Sequence, residues 1–295
     1  MLATIVTLVL RHIMAVLMLA IGLQTTVSEL RSSWSQRALV WKALVVLLVG
    51  VPLLGLATAL ILPLTPRAAG FVAIMAGCPG APMAFRALRG RTMCVTIIAI
   101  VSILAPLTVA IWVEILDHVF SASFSVTPHT LAVVAVRQLL PLAVGIAVAS
   151  SFPRVAPKLA RISWFVFMAL LAIAVVVVLV KGAPELLTAN GWAIVAVVVM
   201  AFGSAAMGHW AGRPDRENSR ILATIAVLGN PALAIAVISS SDPGYRPGAL
   251  FFAYLLARAL CLLPYTVWSK RWARRPPTRV KFGPPTTVPP AAVHR

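Results

Sequence analysis

Two short stretches of this chain place glycine, proline and a polar or thiol side chain inside otherwise apolar sequence. The first is Gly77-Cys78-Pro79-Gly80-Ala81-Pro82, within the run from Ala68 to Leu88, and the second is Gly229-Asn230-Pro231, within Ile221 to Ser240. Proline removes a backbone donor and clashes with the preceding turn, and glycine weakens a helix, so each stretch should interrupt a membrane helix at mid-span. Backbone groups freed in this way cannot face lipid and persist only against protein or along a cavity. A matched pair of such breaks points to the solute site of a secondary carrier. Asn230 is the one strongly polar side chain at the second break and the leading candidate for binding. Pro231, Cys78, Pro79 and Gly80 complete the two breaks. Prolines also kink helices that are merely packed; the correspondence of the two positions favours a site.

Charge inside the spans is the second signal. Three arginines, Arg11, Arg137 and Arg258, fall within apolar stretches. An arginine at the bilayer centre costs roughly 2.5–3.5 kcal/mol even on the lenient insertion scale, so it faces protein or water. Arg258 lies midway along Gly248 to Trp268, flanked by Tyr254 and Cys261 with no acid nearby in sequence, so a substrate carboxylate is a candidate partner. Helix-end carbonyls, or snorkelling to the surface, are the structural alternatives. Arg137 lies nearer the outer end of its stretch and is a second candidate, and Arg11 is a third, placed where water can reach it. The seven acids (Glu29, Glu114, Asp117, Glu185, Asp215, Glu217 and Asp242) all sit in connections or at span ends. No carboxylate therefore occupies a span centre, where proton or sodium coupling usually places one. Cys78, Cys94 and Cys261 form neither a disulfide nor a zinc pattern, and Cys78 reads as a small packing residue. His12 and His209 lack a second ligand at helical spacing, and Gln24 and Gln138 read as pocket or helix-contact polar groups, helix contact being favoured. Paired carboxylates, a His/Asp cluster and a Ser/His pair are all missing from the spans, so the chain does not read as an enzyme.

These residues need membrane elements to hold them. With 61% apolar residues and a mean hydropathy of +0.98, the chain reads as an all-α integral membrane protein. Nine stretches reach the roughly 20 residues a span requires, near 2–24, 38–62, 68–88, 92–116, 130–151, 162–181, 191–210, 221–240 and 248–268. They form one membrane domain over residues 1–268, followed by a basic, proline-rich tail over 269–295 that reads as disordered and cytoplasmic. The net charge of +18 is a matter of topology rather than of nucleic acid: 19 of the 25 Lys and Arg residues fall in the odd connections and the tail. Positive connections stay inside, which predicts an external N-terminus and a cytoplasmic C-terminus in the cell (inner or plasma) membrane. The basic start of the tail can also touch anionic membrane lipid. Met1 to Leu10 lacks a positive leader, and Arg11-His12 interrupts it, so it reads as an uncleaved first span. The two breaks lie five spans apart and enter from opposite sides, as in an inverted repeat of four plus five spans.

The motifs also resemble a known family. Met18 to Thr25 with Ser28-Glu29-Leu30-Arg31 is similar to an "MGLxL…F" segment, and Gly77-Cys78-Pro79-Gly80 to a "CCPGG". Val101-Ser102-Ile103-Leu104-Ala105-Pro106 is like the serine- and proline-bearing helix that follows, and Asn230-Pro231-Ala232-Leu233-Ala234 resembles "N-x-G-L-A". In this order and spacing they resemble the bile acid:sodium symporter family, from about Met18 to Pro264, with the chain as a divergent, bacterial-type member. The resemblance implies panel and core bundles, two broken helices crossing in the core, and sodium and an organic anion bound beside the crossing. It also exposes departures. The family's "TASN" stretch is Ala81-Pro82-Met83-Ala84-Phe85-Arg86 here, its glutamate falls on Ile225, and its next-helix serine and threonine fall on Val95 and Ala99. Ser102 and Asn230, with backbone carbonyls, remain as candidate sodium ligands; no other cofactor is implied. The resulting expectation is a secondary transporter of small organic anions working by alternating access. The alternatives are an arsenite-like metalloid permease, for which Cys78 speaks, and a non-transporting receptor or scaffold.

Overall fold

The computed structural model describes residues 13–33, 36–80, 84, 92–120, 127–187, 191–241 and 249–273. Arg11, the residues 81–83 and 85–86 of the first break's far side, Asp242 and the tail from residue 274 lie outside them. Every described element is a helix. In chain order these are α1 (Ile13–Gly22), α2 (Val27–Ser33), α3 (Arg37–Ile61), α4 (Pro66–Gly77), α5 (Thr92–Phe120), α6 (Pro128–Ser151), α7 (Ala156–Leu187), α8 (Gly191–Ala211), α9 (Arg216–Leu228), α10 (Pro231–Ser241) and α11 (Ala249–Ala273). Five stretches are long and apolar enough to cross a membrane: α3, α6, α8, Met93–Phe120 of α5 and Ala156–Ile173 of α7. By contrast α4, α9 and α10 have 12, 13 and 11 residues, too short to span alone.

Their ends follow from local chemistry. Thr65 caps α4, its hydroxyl accepting from the Ala68 N–H at 3.3 Å, and Pro66 fills the first turn, where its missing donor costs nothing. Asp215 caps α9 through the Asn218 N–H at 2.7 Å, and Thr127 caps α6 through that of Thr130 at 3.2 Å. Within α3, residues Val46–Gly50 form a π turn immediately before Pro52, with the Val51 N–H reaching back to the Val46 carbonyl. A proline disturbs the carbonyl four residues earlier, and a widened turn absorbs the mismatch.

Burial separates two kinds of helix. Every residue from Ala68 to Gly80 is buried, as is every residue from Ile221 to Val227. The α4 helix packs on α3, α5, α8 and α10, while α9 packs on α8 and α11. The broken helices are thus wrapped by protein, as freed backbone in a bilayer requires. In α6 and α7, by contrast, most of the apolar surface is outward, with Val136, Leu140, Val144, Ile162 and Phe165 exposed, as befits lipid contact. At one end of the bundle the Lys42 ammonium donates to the Arg213 carbonyl at 3.3 Å. His209 Nδ1 and the Tyr265 hydroxyl lie 2.9 Å apart at that same end, which α8 and α11 therefore share at their C-termini.

Candidate functional site

The second break is a stop and a restart. Gly229 ends α9 with φ +57°, a conformation L side chains seldom adopt. Asn230 then opens α10: its Oδ1 accepts from the Leu233 N–H at 3.2 Å, and its carbonyl accepts from the Ala234 N–H at 3.2 Å. Pro231 occupies the first helical position, where a ring-locked φ suits the turn. The sequence Gly-Asn-Pro is therefore a C-terminal signal followed directly by an N-terminal one.

At the first break α4 ends on Gly77, Cys78 leaves helical geometry at φ −98°, ψ 87°, and Gly80 turns at φ +99°. The two breaks touch through the backbone, with the Asn230 N–H donating to the Cys78 carbonyl at 3.1 Å. A third element closes the crossing: Asn230 Nδ2 donates to Gln138 Oε1 on α6 at 3.3 Å. Asn230 and Gln138 are 2% and 3% exposed, so each bond stands in for water that is absent there. On the far side, the Trp112 indole of α5 donates to the Ala73 carbonyl at 3.1 Å and covers Gly77, where a Cβ would collide with the ring.

Arg258 reaches the crossing from α11. It is 2% exposed, and a Cβ added to Gly229 would collide with its Nη1. Its Cζ lies 3.9 Å from the centroid of Tyr254, one turn earlier on α11. That ring is held by its own hydroxyl on the Met75 carbonyl at 3.4 Å and by Phe71, edge-on at 6.0 Å. A desolvated cation over an aromatic face gains about 2 kcal/mol. The guanidinium's Nε and Nη2 have no hydrogen-bond partner among the described residues. Both nitrogens are donors only, so the site asks for acceptors, and preferably for an anion. A cavity of about 10 Å³, room for roughly one water, lies here against Met75, Cys78, Pro79, Gly80, Gly229 and Arg258.

Of the residues singled out in the sequence, Cys78, Pro79, Gly80, Asn230 and Arg258 converge on this crossing, with Pro231 directly behind Asn230. Arg137 does not converge with them: it is exposed on α6, and its neighbour Gln138 turns inward instead. Ser102 is buried on α5 with an Oγ that has no partner among the described residues, beside Val101, whose Cγ1 lies 3.7 Å from a Cβ built on Gly80. Two contributors lie outside the leading candidates of the sequence. Gln138 reads there as a pocket or, in preference, a helix-contact group, and its one-residue offset from Arg137 places it on a different face. Tyr254 precedes Arg258 by four residues, the spacing that stacks side chains on one helical face.

A family model, Sodium Bile acid symporter family, matches residues 12–188, more than half of the chain. The matched region holds the first break, α5 with Ser102, and Gln138, and ends before the second break. Comparison with curated proteins finds no match.

Proposed function

Since this chain belongs to the sodium bile acid symporter family, a family of membrane transporters, we propose that it is a secondary carrier of small organic anions working by alternating access. The carrying observation is the backbone bond between Asn230 and Cys78 that joins the two breaks beside the buried, acceptor-seeking guanidinium of Arg258. Broken helices put fixed dipoles at mid-membrane, and a guanidinium fork matches a carboxylate in two parallel bonds. In this reading the anion enters where the small cavity now lies. Asn230 and the freed backbone hold its polar end, Arg258 its charge, and Tyr254 its body. The site lies on α4, α6, α9, α10 and α11, which would move as a core bundle against the rest. The full layout would be nine spans in an inverted repeat, with the N-terminus outside and the C-terminus in the cytoplasm.

Uptake by proteoliposomes carrying the full chain tests the proposal, with radiolabelled pyruvate, benzoate and cholate as monocarboxylates of rising size. At least one should enter protein-containing vesicles well above empty ones. Asn230→Ala should reduce that uptake about tenfold or more, since it removes a polar contact together with an N-cap worth about 1 kcal/mol. Asn230→Ser keeps a capping oxygen and separates helix stability from binding. Undiminished uptake by Asn230→Ala would remove the second break from the site.

A further inference from the structure

The family's name implies a sodium ion, and the residues at the crossing do not fit one. A hard cation wants several oxygens, usually including a carboxylate. Ile225 and Val95 are apolar and fully buried at positions where the family resemblance calls for oxygen, and Ala99 offers none. The oxygens that remain are mostly engaged: the Cys78 carbonyl by the Asn230 N–H, Asn230 Oδ1 by the Leu233 N–H, and Gln138 Oε1 by the Asn230 amide. Of the side chains proposed as sodium ligands, Ser102 offers one hydroxyl that is buried without a partner among the described residues, too little for a hard cation by itself. A positive charge is already installed, because Arg258 packs against Gly229 and lines the same cavity as Cys78, Pro79 and Gly80. Two unit charges about 6 Å apart at an effective dielectric of about 20 repel enough to weaken binding roughly 100-fold.

We infer that Arg258 is a tethered substitute for the coupling cation, so that this carrier moves an organic monoanion without sodium and as net negative charge, which an inside-negative cell drives outward. The inference rests on the carrier reading above. The charge balance follows from the tether. If the guanidinium moves with the site, the loaded form crosses neutral and the empty form returns carrying one positive charge, so each cycle exports one negative charge. No proton replaces sodium in this scheme: arginine does not release one, and of the described carboxylate side chains Glu114 is exposed on α5, Asp117 lies in its last turn, and Asp215 and Glu217 lie at the start of α9. Accumulating an anion against an inside-negative potential needs a cation moving with it or a second anion in exchange; with its cation fixed in place and no exchange, the carrier runs outward.

The test uses the purified full chain in proteoliposomes, with pyruvate, benzoate and cholate as probes. Valinomycin and potassium gradients set the potential, and either sodium or choline supplies the remaining external cation. An inside-positive potential of 100 mV should concentrate a transported probe up to about 40-fold, from about 2.3 kcal/mol per charge per 100 mV at 1.4 kcal/mol per tenfold. The result should be equal in sodium and in choline, and an inside-negative potential should exclude the probe. Arg258→Gln should lose at least tenfold in potential-driven uptake and Arg258→Lys should retain a measurable part of it, whereas a folding defect would strike both. Accumulation driven by a sodium gradient at zero potential overturns the inference while leaving the carrier intact. So does saturable binding of 22Na+ to the wild-type protein, a measurement that needs no substrate. Unchanged uptake by Arg258→Gln overturns the role given to the arginine. If no probe enters under any gradient, the carrier reading fails and takes the inference with it.

Discussion

At the residue scale, the crossing depends on a glycine that carries no chemistry. Gly229 combines φ +57° with a close approach to the Arg258 guanidinium. A methyl group there meets the strain of an unfavourable backbone region, about 1–3 kcal/mol, and pushes the arginine's flexible end away from the breaks. Gly229→Ala is therefore expected to raise the apparent KM for a transported carboxylate about tenfold while lowering thermal stability by a few degrees. Uptake kinetics and a melting curve in detergent read the two effects separately; an unchanged KM would place substrate away from this crossing. The candidate residues themselves were legible in the sequence, because Gly, Pro and Asn inside an apolar run and an arginine within a span are costly in a membrane and need a reason. Which of them meet was not. Arg137 and Gln138 are adjacent in sequence, yet a helix turns successive residues about 100° apart, so one is exposed and the other closes the site.

At the element scale, helix ends and close approaches decide what a side chain can reach. The α6 helix that carries Gln138 packs on α5 and α10 and is seated tightly on α1. Gly145 is the contact point: a Cβ there would lie 2.7 Å from both the Leu19 carbonyl and the Leu23 amide. Gly22 is the reciprocal residue, against the Leu142 carbonyl. Small residues let membrane helices approach backbone to backbone, where packing replaces the hydrophobic force that lipid removes. This contact also gives a physical reason for the glycine in the Met18–Thr25 motif. Gly145→Val should force the two helices apart at an overpacking cost of about 1–3 kcal/mol. The expected outcome is a lower melting temperature and a smaller monodisperse yield, with uptake per folded protein reduced through the lost Gln138 bond. A melting temperature equal to wild type would show that α1 and α6 are not in this contact.

At the scale of the whole molecule, charge and burial give independent views of the same arrangement. Lys42 and Arg213 belong to basic connections far apart in sequence, yet they meet at one end of the bundle, where α8 and α11 also finish. A single basic face is what the positive-inside bias predicts. A fluorescent protein fused after Arg295 should therefore fluoresce in cells, and an alkaline phosphatase at the same place, which is active only outside the cytoplasm, should stay inactive. The reverse pair of results would invert the topology and, with it, the direction assigned to the breaks.

Taken by itself, the sequence determined what solvent must do: an apolar, helical, membrane-embedded chain with two proline- and glycine-broken apolar runs whose freed backbone cannot face lipid. Those properties are local or additive, written in composition, period and proline position. Only the tertiary structure decided that the Asn230 amide bonds the Cys78 carbonyl, that Gln138 rather than Arg137 turns inward, and that Arg258 lies against Gly229 over Tyr254. Such contacts join residues from five helices or their ends, and their geometry depends on helix rotation, crossing angle and approach. None of these is set by neighbours in the chain, because each is a property of two surfaces packed together.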